Sequence, residues 1–445
     1  MSHDICQSPV SLTTPGALSE WNKMICGFLA HTASTPTHLG AVLEAESDFA
    51  MGHAAKGLFS LMLGRHEMRG AAEDAYRMAR TGRATHARER GWIDALGFWL
   101  AGRPSRAVAA MEDVLRAHPE DTLSAKVSHA IRFMLGDAAG MRRSVEAVLP
   151  AHEAHPLRGY LLGCHAFTLE ETGDYAAAER AGITGLELAP DDAWGLHAVA
   201  HVYDMTAQPD RGIALIEDNC AAWDHCNNFR YHVWWHKALL HLDRNETALA
   251  VALYDQQIRA DKTDDYRDIA NASSLLMRLE LEGVDVADRW DELADLSEQR
   301  TADGSLVFAD LHYMLALGAA GRFEAASEMA LRFTRDARDP GDMALRVADP
   351  GLAAMAGLHS FAEARWDTAF LNLSAARTQM QTVGGSHAQR DVFERMTIDA
   401  GLRAGFYDEV STILDQRRTL RGGHDDRFNA TRQDMLTHAR RIPAQ

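Results

Sequence analysis

Two pairs of histidines near the middle of the chain have a spacing that suits metal binding or proton transfer. His197 and His201 are four residues apart, as are His232 and His236. Side chains four apart on an α-helix lie on one face, one turn above another. The pairs are 35 residues apart, so we expect them at the same place on two neighbouring helices of a repeat. Four imidazoles so placed are predicted to bind one divalent metal ion, Zn, Fe or Mn.

Trp194 and Asp204 extend the first histidine pair. At about 100° per residue, both fall with that pair inside an arc of about 80°. Asp204 is therefore a fifth ligand or an outer partner of a metal, or it works with the histidines as general acid and base. Metal binding and acid–base catalysis both stay open. The glutamate of an HExxH zinc motif, which would favour zinc, is replaced by Ala198 and Val233. The predicted catalytic residues are His197, His201, Asp204, His232 and His236.

Five further side chains are predicted to bind a small polar substrate beside these residues. They are Trp194, Trp235, His53, His387 and Arg390. Arg390 would anchor an anion if its side chain points inward. The sequence contains no phosphate loop of the form GxxxxGK(S/T) and no GxSxG elbow, so no nucleotide cofactor is expected.

The elements that position these residues are predicted from a repeat of about 34 residues. Glycines that end amphipathic runs recur along the chain at Gly102, Gly136, Gly173, Gly321 and Gly405. Small residues follow in the next helix, at Ala107, Ala178 and Ala326, and two units close on Pro119 and Pro190. The pattern predicts an all-α solenoid of roughly ten tetratricopeptide-type hairpins.

The predicted array is one domain over residues 1–445. Residues 1–50 are expected to form capping helices, 51–424 the repeats, and 425–445 a polar tail. Residues 263–305 are helical by pattern but are taken to lack the turn glycine, so that unit is expected to be degenerate or displaced.

Composition restricts the partners. The chain has 445 residues, with 45 basic and 63 acidic side chains and a net charge of -18. This charge disfavours binding to nucleic acid or to anionic membranes. Five cysteines without a CxxC motif, and no signal or membrane segment, favour a cytoplasmic location. The expected partner is a small molecule or a peptide, and a homo-oligomer stays open.

Four segments carry a resemblance to a known family. DFAMGHAAKG (48–57), WGLHAVAHVYDM (194–205), YHVWWHKALLHL (231–242) and SHAQRDVFERM (386–396) resemble the tetratricopeptide-repeat protein 38 family, which includes bacterial members similar to a protein of glycopeptide-antibiotic gene clusters. The resemblance covers almost the whole chain and implies a cytosolic all-helical superhelix. It also implies that six histidines belong to a shared pattern, namely His53, His197, His201, His232, His236 and His387.

Two functions are compatible with these patterns. The one that the sequence favours is an enzyme whose repeats enclose a histidine-rich pocket and act on a small polar metabolite. The alternative is a non-catalytic scaffold that binds a peptide or protein in its groove, as tetratricopeptide arrays commonly do. A peptide groove that grips a carboxylate would need Lys, Arg and Asn along its inner faces, whereas residues 194–204 supply His, Trp and Asp.

Overall fold

The computed structural model describes residues 2–440 and divides by contacts into two compact units. Unit 1 comprises the chain up to Val199, Asn219–Arg230 and Pro340–Asp342. Unit 2 comprises Ala200–Asp218, Tyr231–Asp339 and the chain from Met343 onward. The single domain over 1–445 stays a prediction.

Unit 1 is built from consecutive helices after a short N-terminal hairpin of two antiparallel strands. The strands are β1 (Ser2–His3) and β2 (Pro9–Val10). The helices are α1 (Pro15–Leu29), α2 (Thr35–Ala45), α3 (Ala50–Met62), α4 (Met68–Thr81), α5 (Ala87–Leu100), α6 (Pro104–Ala117), α7 (Thr122–Met134), α8 (Ala138–Val148), α9 (Arg158–Glu171), α10 (Tyr175–Leu188) and the first half of α11 (Ala193–Met205). Short 3₁₀ turns cover Leu149–His152 and Cys220–Ala222.

Unit 2 contains the second half of α11 and most of α13. Its helices continue with α12 (Pro209–Asp218), α13 (Phe229–Asp243), α14 (Thr247–Leu253), α15 (Tyr266–Leu281), α16 (Arg289–Glu298), α17 (Val307–Ala319), α18 (Phe323–Asp336), α19 (Asp342–Arg346), α20 (Leu352–Ala362), α21 (Trp366–Arg377), α22 (His387–Ala404), α23 (Tyr407–Leu420) and α24 (Arg427–Ala439). Two π-helical turns, Tyr254–Ile258 and Val347–Gly351, and a 3₁₀ turn, Met380–Val383, complete it.

The predicted all-α fold of tetratricopeptide-type hairpins is confirmed. All five predicted turn glycines have positive φ, from 67° to 85°, a conformation that glycine adopts without strain. The small residues predicted to follow them, Ala107, Ala178 and Ala326, are fully buried. The expectation that 263–305 lack a turn glycine is wrong, because Gly283 (φ 79°) follows α15 and makes the turn to α16.

Small residues allow the two helices of a hairpin to approach closely. A Cβ added at Gly159 on α9 would lie 2.6 Å from the Cβ of Ala189 and 2.9 Å from the carbonyl oxygen of Gly185 on α10. Such distances are shorter than normal van der Waals contacts, so glycine is required for this crossing.

The predicted polar tail, 425–445, contains a docked helix. Phe428 on α24 is 2% exposed, and Arg432 pairs with Asp399 and Glu282. A polar sequence thus packs through one aromatic ring and buried ion pairs. Residues 441–445 of the predicted tail lie outside the described residues. Within residues 2–440, no helix is both long and apolar enough to span a lipid bilayer.

Candidate metal centre and adjoining cavity

Three of the four predicted histidines come together in unit 2. His201 lies on α11, and His232 and His236 lie one turn apart on α13. Their ligand atoms lie within 4.8 Å of one another, and the two Nε2 atoms on α13 are 3.2 Å apart. Two nitrogens bound to one tetrahedral zinc ion would be about 3.4 Å apart, given Zn–N distances near 2.1 Å. The three rings therefore have the spacing of ligands to a single ion.

A chain of hydrogen bonds fixes which nitrogen of His232 can bind a metal. The backbone N–H of Ser386 donates to Oε1 of Gln389 (3.0 Å), so the other terminal atom of that amide is a donor. This Nε2 donates to Oδ1 of Asn271 (3.5 Å), which also faces Nδ1 of His232 at 3.1 Å. Because Oδ1 can only accept, Nδ1 of His232 carries the proton and Nε2 keeps its lone pair. Asn271 is thus an outer partner of the kind that orients metal-binding histidines.

Burial keeps the three imidazoles neutral. It lowers the pKa of His232 to about 4, and it lowers the pKa values of His201 and His236 well below the ordinary value of 6.5. Repulsion from His232 and His387 when they are protonated, and from the guanidinium of Arg390, lowers the pKa of His201 further. A neutral imidazole is the form that binds a metal ion.

Trp235 closes one side of the cluster. Its indole is fully buried and stacks on His232 with ring centroids 5.3 Å apart, and it meets His236 edge-on at 4.8 Å. The guanidinium of Arg278 lies over the Trp235 ring, 5.6 Å from its centroid. The described contacts of Trp235 are therefore those of a support for the rings, and its role in substrate binding stays a prediction.

His197 and Trp194 lie on the unit 1 half of α11. His197 is 2% exposed, one turn before His201 on the same helix, and its ring stacks on Phe167 at 5.5 Å. Trp194 packs against Phe167 at 4.7 Å, and the ammonium group of Lys126 lies 4.4 Å from its ring. The first predicted pair thus has one histidine next to a buried aromatic cluster and one in the three-histidine group.

Asp204, His387 and Arg390 line a cavity of about 340 Å³ in unit 2. The Oδ1 atom of Asp204 accepts a hydrogen bond from Arg421 at 3.1 Å. Asp204 follows His201 by three residues on α11, so the cavity wall adjoins the histidine group. The structure thus brings these three predicted residues together.

His53 has a local partner. On α3 of unit 1 it is 9% exposed, and its Nε2 is hydrogen-bonded to the carbonyl oxygen of Ser47 at 2.8 Å. A role of His53 in substrate binding stays a prediction.

Sequence reasoning missed Asn271, Gln389 and Arg421 as site residues. Asn271 lies between two alanines on α15, and a buried amide on a helix usually has a hydrogen-bond partner, which is the signal that could have found it. Gln389 follows Ser386 by three residues in a capping box. This pattern is visible in the sequence, but it does not indicate that Gln389 also contacts Asn271. Arg421 is the C-cap of α23, four residues before the predicted polar tail, and its position gave no sign of a contact with α11.

No family model matches the chain. It is similar to the solved structure of yeast Tom70, with 12% identity, 95% of this chain and 88% of that chain covered, and a TM-score of 0.39. For the Cut9–Hcn1 hetero-tetramer of APC/C, the identity is 13%, the coverages are 96% and 84%, and the TM-score is 0.38. For the human IFIT1 dimer with m7Gppp-AAAA, the identity is 13%, the coverages are 98% of this chain and 96% of that chain, and the TM-score is 0.37. Membership of the tetratricopeptide-repeat protein 38 family stays a prediction.

Proposed function

We propose that this protein is a metal-dependent enzyme that acts on a small organic molecule. Its metal ion is bound by His201, His232 and His236 in unit 2, and the role of His197 as a ligand stays a prediction. The observation that carries the proposal is the convergence of three buried imidazole nitrogens within 4.8 Å beside a cavity of about 340 Å³. Cavities of this size hold small ligands, whereas a tetratricopeptide scaffold needs no buried histidine group.

Metal binding explains the histidines better than acid–base catalysis does. A general base works best when its pKa lies near the working pH, but burial lowers the pKa of His232 to about 4 and those of its two neighbours as well. Asp204, the predicted carboxylate partner, is paired with Arg421. The same burial that weakens these rings as bases keeps them neutral and available as ligands.

The ligand set narrows the choice of metal. Imidazole nitrogens suit zinc, copper, iron and nickel, whereas manganese favours carboxylate and water oxygens. We therefore favour Zn or Fe over the Mn that the sequence also left open. Such an ion would supply Lewis-acid polarisation of a substrate oxygen.

The protein's own residues prepare the site before any ion arrives. Asn271 holds the lone pair of His232 toward His236, and Trp235 restricts the rotation of both rings. The three histidines are 0%, 9% and 2% exposed, so bulk water has little access to their ligand atoms. A rigid, water-poor site strengthens the electrostatic interactions formed within it.

The test is the metal content of the purified protein and of single-histidine variants. We expect about one zinc or iron ion per chain, retained on dialysis and removed by a strong chelator. His232→Ala and His236→Ala should lose it. His241→Ala is the matched control, because His241 is also buried on α13 but is bonded to Glu246 (2.6 Å). Circular dichroism and the melting temperature show whether each variant is folded.

Two results would count against the proposal. One is protein that neither contains a transition metal nor binds added Zn²⁺ or Co²⁺ at micromolar concentration. The other is equal metal content in His236→Ala and His241→Ala. Either result would favour the non-catalytic scaffold that binds a peptide.

A further inference from the structure

The cavity of unit 2 beside the histidine group has an apolar wall and a rim of uncharged polar side chains. Three residues of the apolar wall are at most 5% exposed, namely Met205, Leu373 and Phe393. Thr378 and Gln381, which also line the cavity, are exposed and therefore form its rim. A ligand that fills the cavity thus places an apolar body against the buried wall.

The charged side chains that line the cavity are already bonded within the protein. They are Asp204, Arg377, Arg390, Asp391, Glu394, Arg417 and Arg421. Arg377 makes a bidentate pair with Glu394, in which Nε lies 2.7 Å from Oε2 and Nη2 lies 2.8 Å from Oε1. Arg390 donates to the carbonyl oxygen of Gly385.

The remaining four charged side chains belong to a buried network that includes Asp426, which is 3% exposed. Arg417 pairs with Asp391 at 2.9 Å and with Asp426 at 2.5 Å. Arg421 pairs with Asp204 at 3.1 Å and lies 3.8 Å from Asp426. Each guanidinium of this network thus faces two carboxylates.

A network of this kind disfavours a charged ligand. Arg395 strengthens it from outside the cavity, at 2.6 Å from Asp391 and 3.3 Å from Asp426. An anion in the cavity would have to compete with a carboxylate for its guanidinium partner, and a cation would have to compete with a guanidinium. Separating a buried pair leaves a charge without its partner, whereas an uncharged ligand leaves every pair in place.

We propose that this cavity binds an uncharged small molecule with an apolar body and one neutral hydrogen-bonding end. The body packs against Met205, Leu373 and Phe393. The neutral end lies at the rim, where the hydroxyl of Thr378 and the amide of Gln381 are uncharged hydrogen-bonding groups. This class is more apolar than the small polar metabolite that the sequence suggests.

The position of the cavity gives this ligand a role. Asp204 lines the cavity and follows His201 by three residues on α11. A ligand in the cavity thus lies beside the histidine group. Its binding depends on the cavity alone, whereas its role as the substrate rests on the proposed metal-dependent enzyme.

The test uses metal-free full-length protein, so it is independent of the metal centre. The probes are 4-phenylbutanamide, 4-phenylbutanoate and 4-phenylbutan-1-amine, which share an apolar body and differ in charge. Titration calorimetry measures the affinity for each probe. We expect the amide to bind at least about tenfold more tightly than either ion, because burying a charge without a partner is costly.

Two variants alter one pair in the wall. Glu394→Gln leaves Arg377 without its carboxylate, so the affinity for 4-phenylbutanoate should rise at least about fivefold relative to that for the amide. Arg377→Gln leaves Glu394 without its guanidinium and should favour the amine in the same way. The control is Asp408→Asn, because Asp408 is 95% exposed and pairs with Arg440, and neither of them lines the cavity. Circular dichroism shows whether each variant is folded.

The outcomes separate this inference from the proposed function. Tighter binding of the carboxylate or the amine than of the amide by the wild type, no detectable binding of the amide, or unchanged selectivity in both folded variants would overturn the inference even if metal is present. Preference for the amide, shifted toward the carboxylate by Glu394→Gln and toward the amine by Arg377→Gln, supports it even if the protein binds no metal.

Discussion

Replacing Asn271 by leucine tests the origin of the histidine geometry. The change removes the acceptor that faces Nδ1 of His232 at 3.1 Å, so the ring is free to rotate or to carry its proton on Nε2. Loss of an outer partner of this kind typically lowers metal affinity 10- to 100-fold, or about 1.4–2.8 kcal/mol. We expect Zn²⁺ affinity to fall within that range.

The same change should leave the stability of the metal-free protein nearly unaltered. Asn271 is 1% exposed, and its Nδ2 has no hydrogen-bond partner among the described residues. Leucine has a similar volume and removes this unsatisfied donor, which offsets part of the cost of the lost bonds to His232 and Gln389. The signature is therefore a lower affinity with a melting temperature that changes little.

Zn²⁺ affinity is measured by competition with a chromophoric chelator, and melting by circular dichroism after chelation. Ser273→Ala is the matched control, since Ser273 is fully buried on the same helix and its hydroxyl has no hydrogen-bond partner among the described residues. If Asn271→Leu and Ser273→Ala bind Zn²⁺ within twofold of each other, Asn271 does not orient His232 and the argument for a prepared ligand fails.

Three further predictions concern stability. Burial raises the pKa of Asp192 from 3.8 to about 7, so between these pH values the folded state keeps a proton that the unfolded state has lost. The unfolding free energy of the wild type, relative to that of Asp192→Asn, should therefore fall as the pH rises from 4 to 7, by at most about 1.4 kcal/mol per pH unit. Urea titrations measure this difference, and a difference that does not change with pH would contradict the prediction. Gly159→Ala should destabilise the protein by about 1–3 kcal/mol, because the added Cβ would meet Ala189. Gly70→Ala on α4, where an added Cβ has nothing within 4 Å, should stabilise the protein by about 0.5–1 kcal/mol. Equal melting temperatures of the two variants would refute the close crossing. Arg88→Met leaves the buried carboxylates of Asp4 and Asp121 without their guanidinium partner and should lower the unfolding free energy by about 3–5 kcal/mol. Arg90→Met, at an exposed position on the same helix α5, is the control and should melt like the wild type.

The fold could be predicted because its information is local. A turn glycine with positive φ and a small residue about five positions later are contained in one hairpin, so Gly102, Gly173 and Gly321 reveal the repeat without any knowledge of distant contacts. The histidine pairs are local in the same sense, since a four-residue spacing is read within one helix. Gly283 was missed although its signal was equally local.

The rest of the site depends on contacts between residues far apart in the chain. Asn271 is 39 residues from His232, and Gln389 is 118 residues from Asn271. Arg421 reaches Asp204 across 217 residues. Nothing in the local spacing of these residues indicates which distant helix each one contacts, because a polar side chain in a single sequence looks the same whether it faces water or a buried partner.

Asp204 shows how one helical turn separates two kinds of chemistry. Helix arithmetic puts it on the same broad face as His201, which made it a predicted fifth ligand or outer partner of the metal, or an acid–base partner of the histidines. Three residues on an α-helix, however, displace a side chain by about 60° around the axis and about 4.5 Å along it. In unit 2 that step takes the carboxylate to Arg421 and the cavity wall, while His201 faces His236 with ring centroids 4.4 Å apart. The carboxylate is therefore better placed to hold Arg421 than to bind the ion, and Asp204→Asn should retain the metal.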